Sequence, residues 1–463
     1  MAICTITRKN IHAGEGLNLA GRISLPSSKS ISNRLLIIRA LARSDFQLGN
    51  LSDAEDTSLL QELLQQIESA QSNQPVLLNC CNAGTVIRFL AAYLTIQPGT
   101  WLLCGSDRMH KRPIGILVEA LRSLGAVIDY TGIPGYPPLR ITGKELQGGE
   151  VNVDASVSSQ FVSALLLMAP MMPSGLTVHL VGDQVSYPYV DMTIRIMEEF
   201  GIVVGRVGAS LVVHPGQYLP AKLKTNSYTV EADWSSAAFW YEAAALANCA
   251  ELTLPGLHEE SLQGDAILPE LFKPIGVETI FGQEGAVLVK TQGTGHGAHM
   301  AAGSLQKNDR KSTAGDRLGQ AEPIELVENH IDLGAYPDLA PSLIVTYAAL
   351  GIAARFTGLH HLKIKESDRL QSLITELRRL NVFIRHPASG IIETDASQSI
   401  ELTPGNCPPV TIETYSDHRI AMAFALLSTR TGSIRISDPA VVAKSYPGFW
   451  KELERLGFEI CET

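Results

Sequence analysis

The chain has 463 residues and a formal net charge of −10, from 37 Lys and Arg against 47 Asp and Glu. This length exceeds what one hydrophobic core usually supports, which predicts two domains, and the acidic balance argues against the broad basic surface that a nucleic-acid partner needs. No apolar run reaches membrane-spanning length and the N-terminus MAICTITRKN lacks the core of a secretory signal, so we expect a cytoplasmic protein with no membrane partner.

Six short loops rich in Ser, Asp or Asn each precede an apolar, helix-like run, which predicts an N-cap followed by a buried helix. The loops begin in chain order at Ser27, Asn82, Ser156, Asp233, Tyr336 and Tyr415. A helix N-terminus presents unpaired N–H groups and the positive end of the helix dipole, so several converging on one cleft would hold phosphate or carboxylate groups. Any one of them taken alone is explained equally well as an ordinary helix start.

A second set of segments is amphipathic and charged, and each predicts an exposed helix, a Gly or Asn C-cap and then a strand. The cap residues are Gly125, Gly201, Gly276, Asn381 and Gly457. They recur at about 75 residues apart, except for one longer interval. One repeating unit therefore contains two helices, one buried and one exposed.

The longer interval contains a polar, Gly-rich and aperiodic stretch from Thr291 to Arg317, which we interpret as a loop inserted near 291–320. The earliest unit is shortened, because little chain separates its exposed helix (59–69) from the loop at Asn82. The pattern predicts an α/β fold of six units, grouped three and three.

Cysteine and histidine usage gives no indication of a metal site. The seven Cys residues include the adjacent pair Cys80 and Cys81 and have no CxxC spacing, which favours reduced, mostly structural thiols. The GHGAH stretch of the inserted loop is best explained by flexible surface composition. We expect no metal and no cofactor.

Basic residues are concentrated locally despite the acidic balance, beside Pro, Gly, Ser or Asp, where anions would be received. They include Lys29, Arg34, Arg88, Arg108, Arg112, Lys365, Arg369, Arg419 and Lys444.

Nine strings carry a resemblance that runs nearly end to end. They are LPSSKSISNR, NAGTVIR, DRMHKRPIG, YPPLRITG, VDASVSSQF, DQVSYPYVDMT, IKESDRL, YSDHRIAM and AKSYPGFW. In this order they resemble the EPSP synthase (3-phosphoshikimate 1-carboxyvinyltransferase) family. One such string is weak, but nine in order are very specific.

The resemblance implies transfer of the enolpyruvyl group of phosphoenolpyruvate to the 5-hydroxyl of shikimate 3-phosphate, with release of phosphate, on the pathway to chorismate and the aromatic amino acids. It also implies a two-domain inside-out α/β barrel, in which each domain has three βαβαββ repeats and the active site lies in the interdomain cleft. Residues 1–19 with 231–463 would form one domain and 20–230 the other. A monomer is the family's default.

The site residues are carried over from the same resemblance. The shikimate 3-phosphate site resembles Lys29, Ser30, Arg34, Ser158, Ser159, Ser186, Asp338, His361 and Lys365. The phosphoenolpyruvate site resembles Lys29, Gly84, Arg112, Gln160, Arg369, Arg419 and Lys444. Arginine suits phosphate and carboxylate because its forked donors match those oxygens.

The chemistry implied is an addition followed by an elimination, which needs a base, an acid and charge stabilisation. We assign the base to Asp338, the acid to Glu366 and the bridging cation to Lys29. The surrounding cations predict that both carboxylates are ionised in the empty site. As alternatives, Asp338 is a helix cap, and Glu366 and Asp368 are salt-bridge partners of Lys365 and Arg369.

Other residues of these strings are interpreted as structural support for the site. Arg88 is more easily explained as structural than as catalytic. Tyr189 and Asp417 are interpreted as support for the residues that touch substrate.

Two positions depart from the family pattern. The family usually has Asn where this chain has His361, which puts that contact to shikimate 3-phosphate in question. Phe89 replaces a common Pro near the phosphoenolpyruvate site and predicts altered sensitivity to glyphosate, an inhibitor of the family. An identical inhibition constant in wild type and Phe89→Pro would remove that expectation.

Three alternative functions remain in view. The UDP-N-acetylglucosamine enolpyruvyl transferases share fold and donor, but they carry Lys-Asn where this chain has Lys29-Ser30, and a loop Cys where it has Asp107. A non-catalytic anion-binding module would be expected to lack an acid, a base or the bridging Lys. An RNA phosphate cyclase would need a nucleotide-attaching His loop and is disfavoured by the acidic balance.

Overall fold

The computed structural model describes residues 2–8, 17–44, 46–70, 74–220, 226–291, 329–400 and 409–462. The inserted loop predicted near 291–320, beyond Thr291 itself, lies outside the described residues. The helices are α1 Lys29–Ala42, α2 Glu55–Glu68, α3 Gly84–Tyr93, α4 Gly115–Ser123, α5 Ser159–Met168, α6 Tyr187–Glu199, α7 Trp234–Leu246, α8 Leu268–Phe272, α9 Ala340–Leu350, α10 Arg369–Arg379, α11 His418–Leu426, α12 Ser428–Thr431 and α13 Phe449–Arg455.

The strands are short and fall between these helices. They are β1 Ile3–Arg8, β2 Asn18–Arg22, β3 Gln47–Gly49, β4 Val76–Asn79, β5 Gly99–Cys104, β6 Val127–Tyr130, β7 Leu139–Gly143, β8 Gly149–Asp154, β9 Leu176–Val181, β10 Val204–Val207, β11 Ser210–Val213, β12 Ser227–Thr229, β13 Cys249–Pro255, β14 Glu278–Phe281, β15 Gly285–Lys290, β16 His330–Asp332, β17 Ala354–Thr357, β18 Ile392–Thr394, β19 Thr411–Ile412, β20 Ser433–Ser437 and β21 Phe458–Glu462.

The strands of the described chain form six separate sheets, and none of them closes on itself. The sheet of β8 to β11 shows the repeating unit most completely. Strands β8 and β9 are parallel and joined through α5, and then α6 leads to β10 and β11, which are antiparallel to their neighbours. The sheet of β4 to β7 follows the same plan around α3 and α4. The fold is thus α/β with the predicted βαβαββ order in these units.

Three other units borrow a strand from a distant part of the chain. Strand β2 is parallel to β13, β12 is parallel to β3, and β1 lies between β20 and β21. Among the residues that the structure describes, the sheet containing β3 has two strands, in agreement with the predicted shortening of the earliest unit.

The predicted helix C-caps are confirmed by backbone geometry. Gly125, Gly201, Gly276, Asn381 and Gly457 all have positive φ, between 59° and 93°. Left-handed backbone at the end of a helix is where Gly and Asn are best tolerated. The strand predicted after Asn381 is wrong, because that stretch makes only an isolated bridge between Arg385 and Glu393. Pro387 follows closely and has no N–H to extend a ladder.

The predicted side-chain N-caps are present at four of the six buried helices. Ser28, Ser158, Asp233 and Asp417 accept backbone N–H groups at the starts of α1, α5, α7 and α11. The prediction is wrong for α3 and α9, whose N-cap residues are Ala83 and Leu339. At those two helices the polar residues of the loop make other contacts, described below.

The buried side chains form two separate hydrophobic clusters. One contains residues between Cys4 and Ile23 and between Ala232 and Phe458, and the other contains residues between Ile31 and Val230. The chain crosses between them twice, and the crossings lie side by side: Ser27 bridges Ala232, and Ser28 N donates to Glu231 O at 2.9 Å. The predicted domain boundary at 19/20 falls inside β2, whose partner β13 belongs to the first cluster.

Two findings bear on membranes and metals. Within the described ranges, no helix is long and apolar enough to cross a membrane. The same residues contain no group of three or more His, Cys, Asp or Glu side chains placed to hold a metal ion.

Candidate active site

One cavity lies between the two clusters and encloses about 930 Å³, including its open mouth. Every site residue predicted from the sequence except Lys444 lines it: Lys29, Ser30, Arg34, Gly84, Arg112, Ser158, Ser159, Gln160, Ser186, Asp338, His361, Lys365, Glu366, Arg369 and Arg419. Lys444 lies directly behind the wall, where its Nζ donates to Asn82 O at 2.6 Å.

Helix starts bring these residues together. The first residues of α1, α3, α5 and α11, and the loop before α9, all line the cavity. Each start presents backbone N–H groups and the positive end of a helix dipole. The convergence predicted from the six loops therefore holds for five of them, and it makes this cavity suited to anions.

Arg369 holds the two candidate catalytic carboxylates. Its Nη1 lies 3.1 Å from Asp338 Oδ1 and its Nη2 lies 2.8 Å from Glu366 Oε2. Its Nε contacts the buried Asp417 at 2.8 Å, which fixes the guanidinium plane. Asp417, interpreted from the sequence as support, thus orients Arg369 from behind and also caps α11.

The cations around both carboxylates keep them ionised. Burial alone raises the pKa of Asp338, but the charges of Arg419 and Arg369 outweigh it and hold that pKa well below its ordinary value. Burial also raises the pKa of Glu366, and Arg112 and Arg369 lower it well below its ordinary value. Both directions agree with the expectation that the empty site contains two carboxylates rather than carboxylic acids.

Tyr189 joins Asp338 to a second buried acid that the sequence did not single out. The Tyr189 hydroxyl lies 3.2 Å from both Asp338 Oδ2 and Asp265 Oδ2. Burial and the nearby charge of Asp338 raise the pKa of Asp265 to about 7. The Tyr189 hydroxyl can therefore donate its proton to either carboxyl group. Asp265, whose pKa is raised, is the more readily protonated of the two near neutral pH.

A buried carboxylate, Asp56, links the candidate catalytic Lys29 to Lys444, which is predicted to bind phosphoenolpyruvate. Lys29 Nζ lies 3.2 Å from Asp56 Oδ2, and Lys444 Nζ lies 3.6 Å from Asp56 Oδ1. Asp56 is only 6% exposed and belongs to the first turn of α2. It offsets the repulsion between two ammonium groups that approach it from different halves of the molecule.

The start of α3 is enclosed by two guanidinium groups. A Cβ on Gly84 would lie 2.6 Å from Arg112 Nη2 and 2.7 Å from Arg88 Nη1. Arg88 donates to Gln160 Oε1 at 3.0 Å, and Gln160 in turn donates to Thr85 Oγ1 at 3.0 Å. Burial and the charge of Arg112 lower the pKa of Arg88 to about 9. Arg88 lines the cavity and also holds Gln160, so it is closer to the chemistry than the sequence indicated.

Hydroxyl groups line another part of the cavity wall. Ser158 caps α5, Ser159 is the first residue of that helix, and Ser186 precedes α6 in left-handed backbone. Arg34 is buried there, and its guanidinium donates to Thr193 Oγ1, Ser30 O and Tyr189 O at 2.7 to 2.9 Å. Burial lowers the pKa of Arg34 to about 10. Much of its donor capacity is therefore used inside the protein.

Phe89 lies behind this wall rather than on it. Arg34 Cζ is 5.5 Å from the centroid of the Phe89 ring, which is 1% exposed and does not line the cavity. The altered glyphosate sensitivity remains a prediction, and any effect of the ring must pass through its neighbours.

Two histidines in the cavity wall are neutral. Burial lowers the pKa of His361 to about 3, and burial together with Lys29 and Arg419 lowers the pKa of His418 well below its ordinary value. Neither ring makes a hydrogen bond within the described protein. His361, the departure from the family pattern, thus presents a neutral ring that can bond a polar ligand group. Burial also lowers the pKa of neighbouring Lys365 to about 8, despite the favourable charge of Asp338.

Sequence reasoning missed Asp56, Asp265 and His418. A usable signal existed only for His418, which adjoins Arg419 in the string YSDHRIAM. Asp56 and Asp265 lie in segments that read as ordinary helix starts, and only the meeting of distant units reveals their contacts.

Comparison with known proteins gives one consistent result. The model of the family described as EPSP synthase (3-phosphoshikimate 1-carboxyvinyltransferase) matches residues 14–453. Proteins named 3-phosphoshikimate 1-carboxyvinyltransferase are similar to this chain: one from Bacteroides fragilis (strain YCH46) is 41% identical over 95% of both chains, and one from Syntrophobacter fumaroxidans is 34% identical over 97% of this chain and 99% of its own. The solved structure of EPSP synthase from Acinetobacter baumannii covers all of both chains with a TM-score of 0.70 at 22% identity, which shows a shared fold.

Proposed function

The chain belongs to the EPSP synthase family, and from that premise we propose how its cleft carries out the reaction. The enzyme transfers the enolpyruvyl group of phosphoenolpyruvate to shikimate 3-phosphate, in the shikimate pathway to the aromatic amino acids. The observation that carries the proposal is the pairing of Asp338 and Glu366 on one buried guanidinium, at 3.1 and 2.8 Å from Arg369. An acid and a base are thereby held within one anion-binding cavity.

Shikimate 3-phosphate binds against the serine-lined wall. Its phosphate meets Ser158 and Ser159 at the start of α5, where backbone N–H groups and the helix dipole favour negative charge. Ser30, Ser186, His361 and Lys365 contact the rest of the molecule, and the 5-hydroxyl lies against Asp338. Arg34 holds Ser30 and the Tyr189 backbone in place, because its donors already point at them.

Phosphoenolpyruvate binds on the other side of Lys29, beside Gly84 and Gln160. Arg112, Arg369 and Arg419 supply forked donors for its carboxylate and phosphate, and Lys444 adds a further charge. Gly84 lets the backbone approach the small substrate. The two anionic groups draw the cations away from Glu366, which raises its pKa and lets it take up the proton that it later donates.

The addition step joins the two substrates. Asp338 takes the proton of the 5-hydroxyl while the hydroxyl oxygen attacks C2 of phosphoenolpyruvate, and Glu366 gives a proton to C3, which becomes a methyl group. The product is a tetrahedral ketal. Tyr189 and Asp265 stabilise Asp338 in either protonation state, because the Tyr189 hydroxyl can turn toward whichever carboxylate carries the charge.

The elimination step releases phosphate. The C3 methyl group returns a proton to Glu366 as the bond from C2 to the phosphate oxygen breaks, which restores the C2–C3 double bond. Asp338 and Glu366 then release their protons to solvent as the products leave. Lys29 neutralises the charge on the departing phosphate, and Lys444, held behind the cavity wall by Asn82 and Asp56, adds positive charge from a greater distance. Asp56, which lies between both ammonium groups, keeps them placed before substrate arrives.

Membership of the EPSP synthase family also leads us to propose the domain arrangement, the cellular location and the oligomeric state. The two hydrophobic clusters support the proposed two domains with one change at the first boundary: β2 and Ile23 belong with the first cluster, so the first segment of that domain extends past residue 19, while the second boundary stays near 230/231. The repeated units support the inside-out α/β barrel of the family, three units to a domain. We also propose a cytoplasmic monomer, in agreement with the family's default.

A coupled assay of phosphate release tests the function. Purified enzyme should release phosphate from phosphoenolpyruvate only when shikimate 3-phosphate is present, and Glu366→Gln should lose about 10²-fold or more in kcat because it cannot deliver a proton. UDP-N-acetylglucosamine is the matched acceptor control. Release with the nucleotide sugar alone would move the assignment to the related transferases, and no release with either acceptor would favour a non-catalytic module.

A further inference from the structure

Arg108 connects the two halves of the molecule without lining the cavity. It lies in the loop between β5 and α4, on the side of the second hydrophobic cluster. Its Nε donates to the main-chain carbonyl of Glu366 at 3.0 Å, and its Nη2 donates to that of Lys365 at 2.9 Å. Both carbonyls belong to the half built around the first cluster.

The two acceptors are consecutive peptide groups in the segment that carries the proposed proton donor. The preceding 3-10 turn ends at Ile364, and α10 begins only at Arg369, so this segment has no helix or sheet ladder of its own. A rotation of either peptide plane would turn the Lys365 or Glu366 side chain away from the cavity. The segment therefore depends on contacts from outside for its orientation.

We propose that Arg108 is a positioning residue for catalysis: on closure of the cleft, it fixes the main chain at Lys365 and Glu366 and so aims both side chains at the bound substrates. The inference rests on the roles proposed above for those two residues. Donor and acceptors lie on different halves, so these hydrogen bonds form only when the halves meet, and closure is coupled to placement of the acid.

A guanidinium suits this role better than an ammonium group. Its N–H donors have a fixed planar arrangement, so Nε and Nη2 can bond two successive carbonyls at once. Lysine has a flexible stem and one charged centre and could satisfy one carbonyl but not define the plane of both. Arg108→Lys is therefore expected to be intermediate rather than neutral.

The test compares Arg108→Ala, Arg108→Lys and a control, Lys111→Ala, which removes the same charge from the same exposed loop. We measure kcat and both KM values in the phosphate-release assay, and the Kd of shikimate 3-phosphate by calorimetry. For Arg108→Ala we expect kcat to fall about 30-fold or more, from the loss of productive geometry at Glu366, with a smaller rise in the Kd of shikimate 3-phosphate, from the loosened Lys365. Added guanidinium chloride at low concentration should restore part of kcat in Arg108→Ala but not in the control.

The outcomes separate the two proposals. An Arg108→Ala enzyme that binds shikimate 3-phosphate and keeps wild-type kcat overturns the role of Arg108 and leaves the transfer function intact. A loss of kcat that Lys111→Ala matches, or that guanidinium does not rescue in a variant that still binds substrate, overturns it as well. Failure of the wild-type enzyme itself to release phosphate with shikimate 3-phosphate would instead overturn the proposed function.

Discussion

Arg369 is the residue on which the proposed chemistry depends most directly. Burial alone lowers its pKa, but the charges of Asp417, Glu366 and Asp338 raise that pKa above its ordinary value, so the guanidinium stays charged in the interior. A buried cation with three carboxylate partners is costly to assemble and strongly destabilising to break. The planar guanidinium of Arg369 offers a separate nitrogen to each carboxylate, so Asp338 and Glu366 can both bind it while keeping different positions.

Gly84 gives a prediction about the affinity for phosphoenolpyruvate. In Gly84→Ala the new methyl group would lie 2.6 Å from Arg112 Nη2, so the guanidinium must move away from the phosphoenolpyruvate site. We expect KM for phosphoenolpyruvate to rise about tenfold or more while binding of shikimate 3-phosphate is unchanged, which corresponds to about 1.4 kcal/mol. Gly448→Ala is the matched control, since its Cβ meets nothing nearer than 3.8 Å. Equal KM values in the two variants would show that Arg112 tolerates the shift.

Lys365 gives a prediction about pH. Burial lowers its pKa to about 8 in the empty enzyme, so the positive charge offered to shikimate 3-phosphate disappears as pH rises through that value. The profile of kcat/KM for shikimate 3-phosphate should therefore fall above about pH 8, approaching tenfold per pH unit. Lys365→Arg should move this fall to higher pH, because a guanidinium stays protonated. A profile that is flat from pH 7 to 9.5 in wild type would rule out this role for Lys365.

The cavity residues proposed to bind anions were predictable from the sequence, while the residues that hold those side chains in place were not. Lys29, Arg112 and Arg419 stand in recognisable strings beside helix starts, so chemistry and local pattern agree. Asp56 and Asp265 carry no such pattern, because their partners come from remote segments: Lys444 for Asp56, and Tyr189 for Asp265. A contact between residues far apart in the sequence forms only in the folded protein, so the periodicity and composition of either segment do not reveal it.

At the scale of elements, the two helix starts without a side-chain cap are informative. Asn82 precedes α3, but its backbone carbonyl accepts from Arg112 and Lys444 instead. Asp338 precedes α9, but its carboxylate is taken by Arg369 and Arg419. Local rules predicted a cap at both positions, and the active site uses these loops differently. The alternative assignment of Asp338 as a mere helix cap is thereby excluded.

Gly457 allows a test of the C-cap interpretation that is free of steric effects. Its φ is 89°, and a Cβ at this position would meet nothing within 4 Å. Gly457→Ala should lower the free energy of unfolding by about 1 kcal/mol through backbone strain alone, without affecting kcat. Urea unfolding of the variant beside Gly448→Ala, which has ordinary backbone, provides the comparison. Equal stabilities would mean that the left-handed turn after α13 carries no cost for Ala.

Across the whole molecule, the repeating unit was predictable from the sequence, but the exchange of strands between distant units was not. The recurring caps indicated six units because helix ends are local features. The exchange of β1, β2 and β12 between distant units depends on pairing across hundreds of residues, which no window of sequence contains. The crossings lie side by side where β2 and β12 are exchanged, and the cleft is lined by five of the six units.

Glu242 links the stability of the first cluster to pH. It is fully buried in α7, and burial raises its pKa well above the ordinary value, with only partial opposition from Ser342. A raised pKa in the folded state means that its contribution to stability is complete below the ordinary Glu pKa and is lost as pH rises, by about 1.4 kcal/mol per pH unit. Glu242→Gln should remove this slope and be more stable than wild type at pH 7. Unfolding free energies at pH 5 and 7 with the same dependence in both proteins would contradict it.

In the proposed addition step, Glu366 adds a proton to C3 of phosphoenolpyruvate and a methyl-bearing ketal follows. The most direct measurement is incorporation of solvent deuterium into the vinyl group of the product during turnover in D₂O, followed by NMR with and without shikimate 3-phosphate. Wild-type enzyme should give deuterium in the vinyl group of the product, and in recovered phosphoenolpyruvate only when shikimate 3-phosphate is present, whereas Glu366→Gln should incorporate deuterium slowly. Product formed without deuterium, or incorporation at the wild-type rate in Glu366→Gln, would contradict it.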